Sequence, residues 1–243
     1  MARVRNILIT GGGTGIGLAI ARTFADLGEA VTITGRREAP LRAAAHETGA
    51  RALVCDHTDP AALTRLLADA DLPDRIDVLV NNAGGNTDFG AAGGDDLAAY
   101  AEAFRANLDA NLVSAAVTVK AFEPRLAGGG AVINIGSIAA DQGAGSYGAA
   151  KAGLASWNVA LAGVLGPRDI TANVVSPGYI ADTEFFGDHL TAERRAQLVA
   201  ATAVRRPGTP ADIAGTVAFL ASPAARHVTG QVLNVNGGAY TTR

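Results

Sequence analysis

Residues 10–17 read TGGGTGIG, and they sit between an apolar run and an amphipathic stretch. Residues 4–10 are spelled like a short buried strand. Residues 18–27 then carry Leu18, Ala19, Ala21, Phe24, Ala25 and Leu27 at helical spacing, up to Gly28. Strand, glycine-rich turn and helix in that order open a dinucleotide-binding βαβ unit. Glycine permits the tight turn, a close backbone approach to a pyrophosphate, and close packing of helix on strand. The free N–H groups at the start of the helix favour an anion. Here Gly11, Gly15 and Gly17 give GxxxGxG rather than GxGxxG. Without the flanking strand and helix the same glycines would describe a plain turn.

The strand–helix period then repeats. A second strand over residues 30–34 ends in Gly35-Arg36-Arg37. In a dinucleotide fold an acid near this place grips the adenine ribose hydroxyls, and an arginine accommodates a 2′-phosphate instead. Arg36 and Arg37 thus favour NADP(H) over NAD(H); the bland alternative is a pair of surface arginines beside the next helix. The pattern predicts helices over 40–48 and 60–70, and strands over 51–55 and 76–80. The third strand ends at Asp56 and the fourth runs into Asn81-Asn82-Ala83-Gly84, so both place polar residues where such sheets bind ligands. Either could equally be a helix cap or a turn.

Residues 84–96 read as a loop, followed by a long helix from near residue 95 to 121 that contains Asn107 and Asn111. Asparagine is a poor helix-interior residue, so both amides are expected to bond to backbone or water inside the protein. A fifth strand over 131–135 delivers Ser137 to the same sheet edge, and a helix over 145–165 follows. A sixth strand over 170–175 leads into Ser176-Pro177-Gly178-Tyr179-Ile180. Residues 181–209 lack strand signals and read as a mobile excursion; a helix over 210–221 and a strand over 231–235 close the chain. Alternation of this kind implies a parallel sheet covered on both faces.

Tyr147 and Lys151 stand four residues apart on the helix over 145–165, hence on one face. A phenol titrates near ~10 and a close ammonium lowers that value, which makes the pair a candidate general acid/base. Of the 20 basic residues only Lys120 and Lys151 are lysines. A chain that writes arginine nearly everywhere has kept a compact ammonium here, which a guanidinium cannot imitate.

Composition narrows the partners. The 243 residues fit one α/β domain, and 49% apolar residues supply its core. A net charge of −3 gives no basic field for nucleic acid or an anionic membrane. No apolar run approaches the ~18 residues of a membrane span. The lone Cys55 ends an apolar run, suiting a packing role in a reducing, cytoplasmic setting.

In order, TGGGTGIG, NNAG, Asn111, Ser137, Tyr147-xxx-Lys151, Ser176-Pro177-Gly178 and the closing TGQVLNVNGG resemble the short-chain dehydrogenase/reductase family over nearly the whole chain. The resemblance implies a doubly wound, Rossmann-like three-layer α/β sandwich with a seven-stranded parallel sheet. It implies a single domain over residues 1–243, a substrate-loop excursion at about 179–209, and a homotetramer. It also implies hydride transfer between a nicotinamide and a carbonyl or secondary alcohol, with no metal. Catalytic roles would fall to Asn111, Ser137, Tyr147 and Lys151. Tyr147 would protonate the carbonyl oxygen, Ser137 would hold it, Lys151 would lower the Tyr147 pKa, and Asn111 would anchor a water behind Lys151. Cofactor contacts would come from Gly11, Thr14, Gly15, Ile16, Gly17, Arg36, Arg37, Asp56, His57, Asn82, Ala83 and Gly84. Tyr147, Lys151, Pro177, Gly178, Ile180 and Thr183 would complete that set.

Three departures stand out. Ser137 and Tyr147 are ten positions apart, a shorter step than the family usually leaves, so one pocket wall is expected to be trimmed. Thr183 comes one residue later than in the common pattern. Thr14 occupies a place where NADPH-preferring relatives often carry a base. The chain most resembles the 3-oxoacyl-[acyl-carrier-protein] reductase branch, with Arg168 and, more loosely, Arg125 standing for carrier-docking bases. The substrate would be a small-molecule or carrier-bound carbonyl. An NAD-using alcohol, sugar or polyketide-type dehydrogenase and a non-catalytic cofactor sensor are the alternatives.

Overall fold

The computed structural model describes residues 3–89 and 96–242. Seven strands form one parallel sheet: β1 (Asn6–Thr10), β2 (Ala30–Gly35), β3 (Arg51–Val54), β4 (Ile76–Asn81), β5 (Leu126–Ile135), β6 (Thr171–Pro177) and β7 (Val232–Val235). Their order in the sheet is β3-β2-β1-β4-β5-β6-β7. The order reverses between β1 and β4, which opens a crevice beyond their carboxyl ends. Strand side chains alternate between two cores. Ile7, Ile9, Val78, Val80 and Ile133 join one apolar cluster, in which Ile20, Phe24, Ile213 and Val217 also lie. Leu8, Leu79 and Val132 join the other, with Leu63, Phe122, Leu161 and Leu165. The first cluster is covered by α1 (Gly15–Asp26), α2 (Glu38–Thr48) and α9 (Pro210–Leu220), the second by α3 (Pro60–Leu67), α5 (Ser114–Phe122) and α7 (Gly145–Leu165). This is the doubly wound Rossmann-like sandwich. Cys55 is buried, and burial pushes its thiol up to about 11, so it is an inert packing residue.

Four elements differ from the sequence reading, the first being β5, which starts at Leu126 and runs through residues 128–130 rather than starting at residue 131. The long helix is interrupted: α4 (Leu97–Leu108) passes through a π-helical segment, Asp109–Val113, before α5. Its expected start near residue 95 and much of the expected loop over 84–96 lie outside the described residues. Between Ser137 and Tyr147 lies a turn of helix, α6 (Ala139–Gln142), where a bare shortened loop was expected. The excursion over 181–209 contains α8 (Ala192–Ala200) and is tied at its base, where Gly208 N donates to Tyr179 O and Ala181 N to Gly208 O. Thr209 and Asp212 then form a reciprocal cap that starts α9. Short polar segments of this kind give no apolar periodicity to read. Among the described residues no helix is long and apolar enough to cross a membrane.

Candidate active site

The glycine loop after β1 is locked into the β4 end. Asn82 Nδ2 donates to Thr10 O and Gly11 O, both at 3.0 Å, and Thr10 Oγ1 accepts from the N–H groups of Asn82 and Ala83. Gly11 has φ +65°, and a Cβ there would lie 2.9 Å from Ala83 Cα. A Cβ at Gly17 would lie 2.2 Å from Gly11 O. These two glycines and the Asn82 amide therefore build the turn itself. Thr14, the N-cap of α1, makes no side-chain cap, which leaves first-turn N–H groups without a side-chain acceptor from it. A glycine turn of this closeness, ending at an uncapped 12-residue helix, fits a dinucleotide pyrophosphate. Gly15 and Thr183 meet across the cleft: a Cβ at Gly15 would lie 3.5 Å from Thr183 Cγ2. Gly178 packs at the β7 end, where a Cβ would come within 2.8 Å of Asn236 Cβ. Pro177 O accepts from Ile138 N, holding the Ser137 turn against the end of β6.

At the β2 end Arg36 lies near Asp56, and Arg37 Nη2 pairs with Glu184 Oε2 at 2.5 Å. Glu184 comes from the excursion, and its Oε2 also lies 3.4 Å from Thr14 Oγ1. Burial works against the Asp56 carboxylate, but bonds from Thr58 and the charge of Arg36 hold its pKa below the usual range. His57, expected among the cofactor contacts, has its ring turned into the protein. It is 5% exposed, with Nε2 at 2.7 Å from Thr34 Oγ1 and Nδ1 at 2.8 Å from Thr118 Oγ1. Both ring nitrogens are thus taken up in joining β2 to α5, and burial lowers the ring pKa to about 4.

At the other end of the cleft α6 folds the short link so that Ser137, whose Oγ accepts from Ala139 N at 3.1 Å, stands beside the Tyr147 phenol. Tyr147 is 6% exposed and Lys151 5%. Lys151 Nζ donates to Ile135 O at 2.8 Å and lies 5.7 Å from the Tyr147 ring centroid. Burial pushes the Tyr147 phenol up to about 12, against the pull of the Ser137 bond. Burial also brings Lys151 down to about 8. Here the expectation that Lys151 depresses the tyrosine does not hold, because desolvation outweighs an ammonium that faces a carbonyl rather than the phenol oxygen. The arrangement keeps a neutral phenol beside an ammonium that readily gives up its proton.

Asn111 marks the π-helical segment. Its Nδ2 donates to Gly85 O at 2.8 Å and Asn107 O at 3.0 Å, and its Oδ1 accepts from Gly85 N at 3.1 Å. Its side chain therefore pins the loop after β4 and is not itself aimed at Lys151. Asn107 does the same one turn earlier, accepting from Thr87 N and donating to Asp88 Oδ1 and Ser146 Oγ. Ser146 donates in turn to Asp88, so its hydroxyl is not a spare donor for a substrate. The part played by Asp88 and Glu184 had no signal in the sequence, since both sit in segments without periodicity. Arg168 donates to Glu123 O and Leu126 O, and Arg125 to Leu67 O and Pro73 O. Both expected docking bases are occupied in tying loops together.

Residues 11–240 match the family model described as Enoyl-(Acyl carrier protein) reductase. The 3-oxoacyl-[acyl-carrier-protein] reductase of Escherichia coli K12 is 36% identical over 239 residues, 96% of each chain. Galactitol 2-dehydrogenase (L-tagatose-forming) of Cereibacter sphaeroides is 35% identical over 241 residues, covering 96% of this chain and 93% of that one. Among solved structures, a blue fluorescent protein from a metagenomic library in complex with NADPH superposes with a TM-score of 0.83 at 34% identity, over 98% of both chains. The chain belongs to the short-chain dehydrogenase/reductase family and is an oxidoreductase of the kind that acts on CH–OH groups.

Proposed function

We propose that this protein is an NADP(H)-dependent reductase of a small carbonyl compound, or the reverse dehydrogenase of the secondary alcohol, working as one domain. The observation that carries the reading is the half-buried Ser137 beside the buried Tyr147 and Lys151, at the end of the cleft away from the adenine side. A nicotinamide bound in the cleft supplies or accepts the hydride. Gly11, Thr14, Gly15, Ile16, Gly17, Ala83 and Gly84 would cradle the dinucleotide, with Asp56 at the adenine and Pro177, Gly178, Ile180 and Thr183 at the nicotinamide end. Arg36 and Arg37 favour a 2′-phosphate. Ser137 holds the substrate oxygen as negative charge develops there, and Tyr147 gives that oxygen its proton. Lys151 would hold the ribose hydroxyls and return a proton to Tyr147, and Asn111 keeps the loop after β4 in place. The 3-oxoacyl-[acyl-carrier-protein] reductase among the relatives supports a 3-oxoacyl thioester as a candidate. The occupied Arg125 and Arg168 speak against delivery on a carrier protein.

Assembly as a homotetramer, which the family resemblance implies, is part of the same proposal. The buried, unpaired Cys55 agrees with a cytoplasmic setting. The function is tested by following NADPH oxidation with diketones, quinones, keto sugars and 3-oxoacyl thioesters. Turnover of at least one class that is lost in Tyr147→Phe is expected. NADPH binding with no turnover of any class would instead point to a cofactor sensor.

A further inference from the structure

Aromatic residues make up only 5% of the chain, yet three of its seven phenylalanines meet at the catalytic tyrosine. Phe185 packs on Tyr147 with ring centroids 5.6 Å apart, and Phe186 lies edge-on to Phe185 at 4.9 Å. Phe89, from the loop after β4, is edge-on to Phe185 at 5.7 Å and stacks with His189 at 5.6 Å and an interplanar angle of 18°. Tyr179 closes the far side against Phe186 at 5.9 Å. These residues come from two separate loops, so neither loop forms the cluster alone. A purely structural cluster would be buried, as Phe24 and Phe122 are at 0% exposure, whereas Phe185 is 37% exposed.

From this geometry we infer that the substrate carries an aryl ring, or a planar conjugated group of similar size, next to its reacting carbonyl. That ring packs on the exposed side of Phe185, which Phe89 and Phe186 back. The inference rests on the carbonyl-reductase reading above. Rings around the proton donor offer edge-to-face and offset-stacked partners to a flat apolar group. They offer few directed donors or acceptors to a polyol, whose hydroxyls would be left unpaired on entry. Asp88, next in the chain to Phe89, is already taken up by Ser146 and Asn107. Phe185 is a specificity-determining residue in this account, since it is the ring in contact with Tyr147 and is open to solvent.

The test compares kcat/KM with NADPH for 1-phenyl-1,2-propanedione, 2,3-butanedione, L-tagatose and an acetoacetyl thioester, in the wild type, Phe185→Leu and Phe89→Leu. Thermal melts of each variant check the fold. The aryl diketone is expected to lead the sugar and the thioester by about tenfold or more. Phe185→Leu, which keeps the apolar character, is expected to lower the aryl-to-aliphatic ratio about tenfold, mainly through KM. That is ~1.4 kcal/mol, the size of a good aromatic contact. Saturation-transfer NMR with acetophenone reads binding without turnover and is expected to lose its signal in Phe185→Leu. If no carbonyl is reduced but that signal persists in the wild type and depends on Phe185, the aryl site stands and the reductase reading fails. If turnover occurs but the sugar or thioester leads, or both leucine variants leave the aryl-to-aliphatic ratio unchanged, the inference is overturned.

Discussion

The two ends of the cleft are built by opposite means. At the catalytic end Tyr147 and Lys151 are almost wholly buried, and desolvation is the largest influence on both. At the adenine end Arg37 and Glu184 keep side-chain exposures of 62% and 61%, so water and salt weaken whatever they do. Chemistry is thus placed where a charge is expensive to keep, and recognition where a charge is cheap and adjustable. One short stretch joins the two ends. Thr183 lies on the glycine loop, Glu184 on Arg37, and Phe185 on Tyr147.

Changes at the catalytic end should have the largest effects. Tyr147→Phe removes the proton donor and is expected to cut kcat by at least ~10²–10⁴ with NADPH affinity nearly unchanged; a fluorescence titration of NADPH checks the second part. Lys151→Arg is expected to fail as well, because a planar guanidinium cannot fit a site built for a buried ammonium. Retention of most of the wild-type rate would refute that. Ser137→Ala should lower kcat by roughly 10²–10³ if it holds the developing oxyanion. Effects at the adenine end should be smaller. Arg36→Asp is expected to reverse an NADPH preference of about tenfold, two charge-assisted bonds being discounted for exposure. Glu184→Gln frees Arg37 and removes a negative charge from the phosphate site. It should tighten NADPH by only about two- to fivefold, as exposed pairs are worth ~0.2–1 kcal/mol, and leave NADH unchanged in direct binding.

A pH effect on stability comes from between the two ends. His57 titrates near 6.5 when exposed and about 4 in the fold. Between those values the unfolded chain binds the extra proton, so the contribution is present above about pH 6.5 and lost as pH falls toward 4. Its full size is about 3 kcal/mol, and denaturant melts of the wild type and His57→Gln from pH 7 to 4 measure it. A variant whose stability falls as steeply as the wild type would show that His57 does not drive the loss.

The sheet and its covering helices were legible because their signals are local. Apolar runs ending in glycine or asparagine placed β1, β2 and β4, and the helix expected over about 145–165 is α7. Tyr147, Lys151 and Ser137 were legible because each sits at the end of such an element. What escaped has no local signal. A π-helical segment at Asn111 depends on a partner, Gly85, in another loop. The burial of His57 between Thr34 and Thr118 joins residues far apart in the chain. That burial raises the Tyr147 phenol while Lys151 turns to Ile135 O is a matter of packing, which no spacing records. The aromatic cluster likewise needs Phe89 and Phe185 to meet from separate loops.

Ionic strength separates the two ends most directly. Salt screens exposed charges and leaves buried ones nearly untouched. Steady-state carbonyl reduction, measured at low and at roughly 0.5 M sodium chloride, gives kcat and the KM for NADPH in one experiment. The expected result is a KM that rises several-fold while kcat stays within about twofold. A kcat that falls with salt while the KM holds would contradict the division of labour between a buried catalytic centre and an exposed phosphate site.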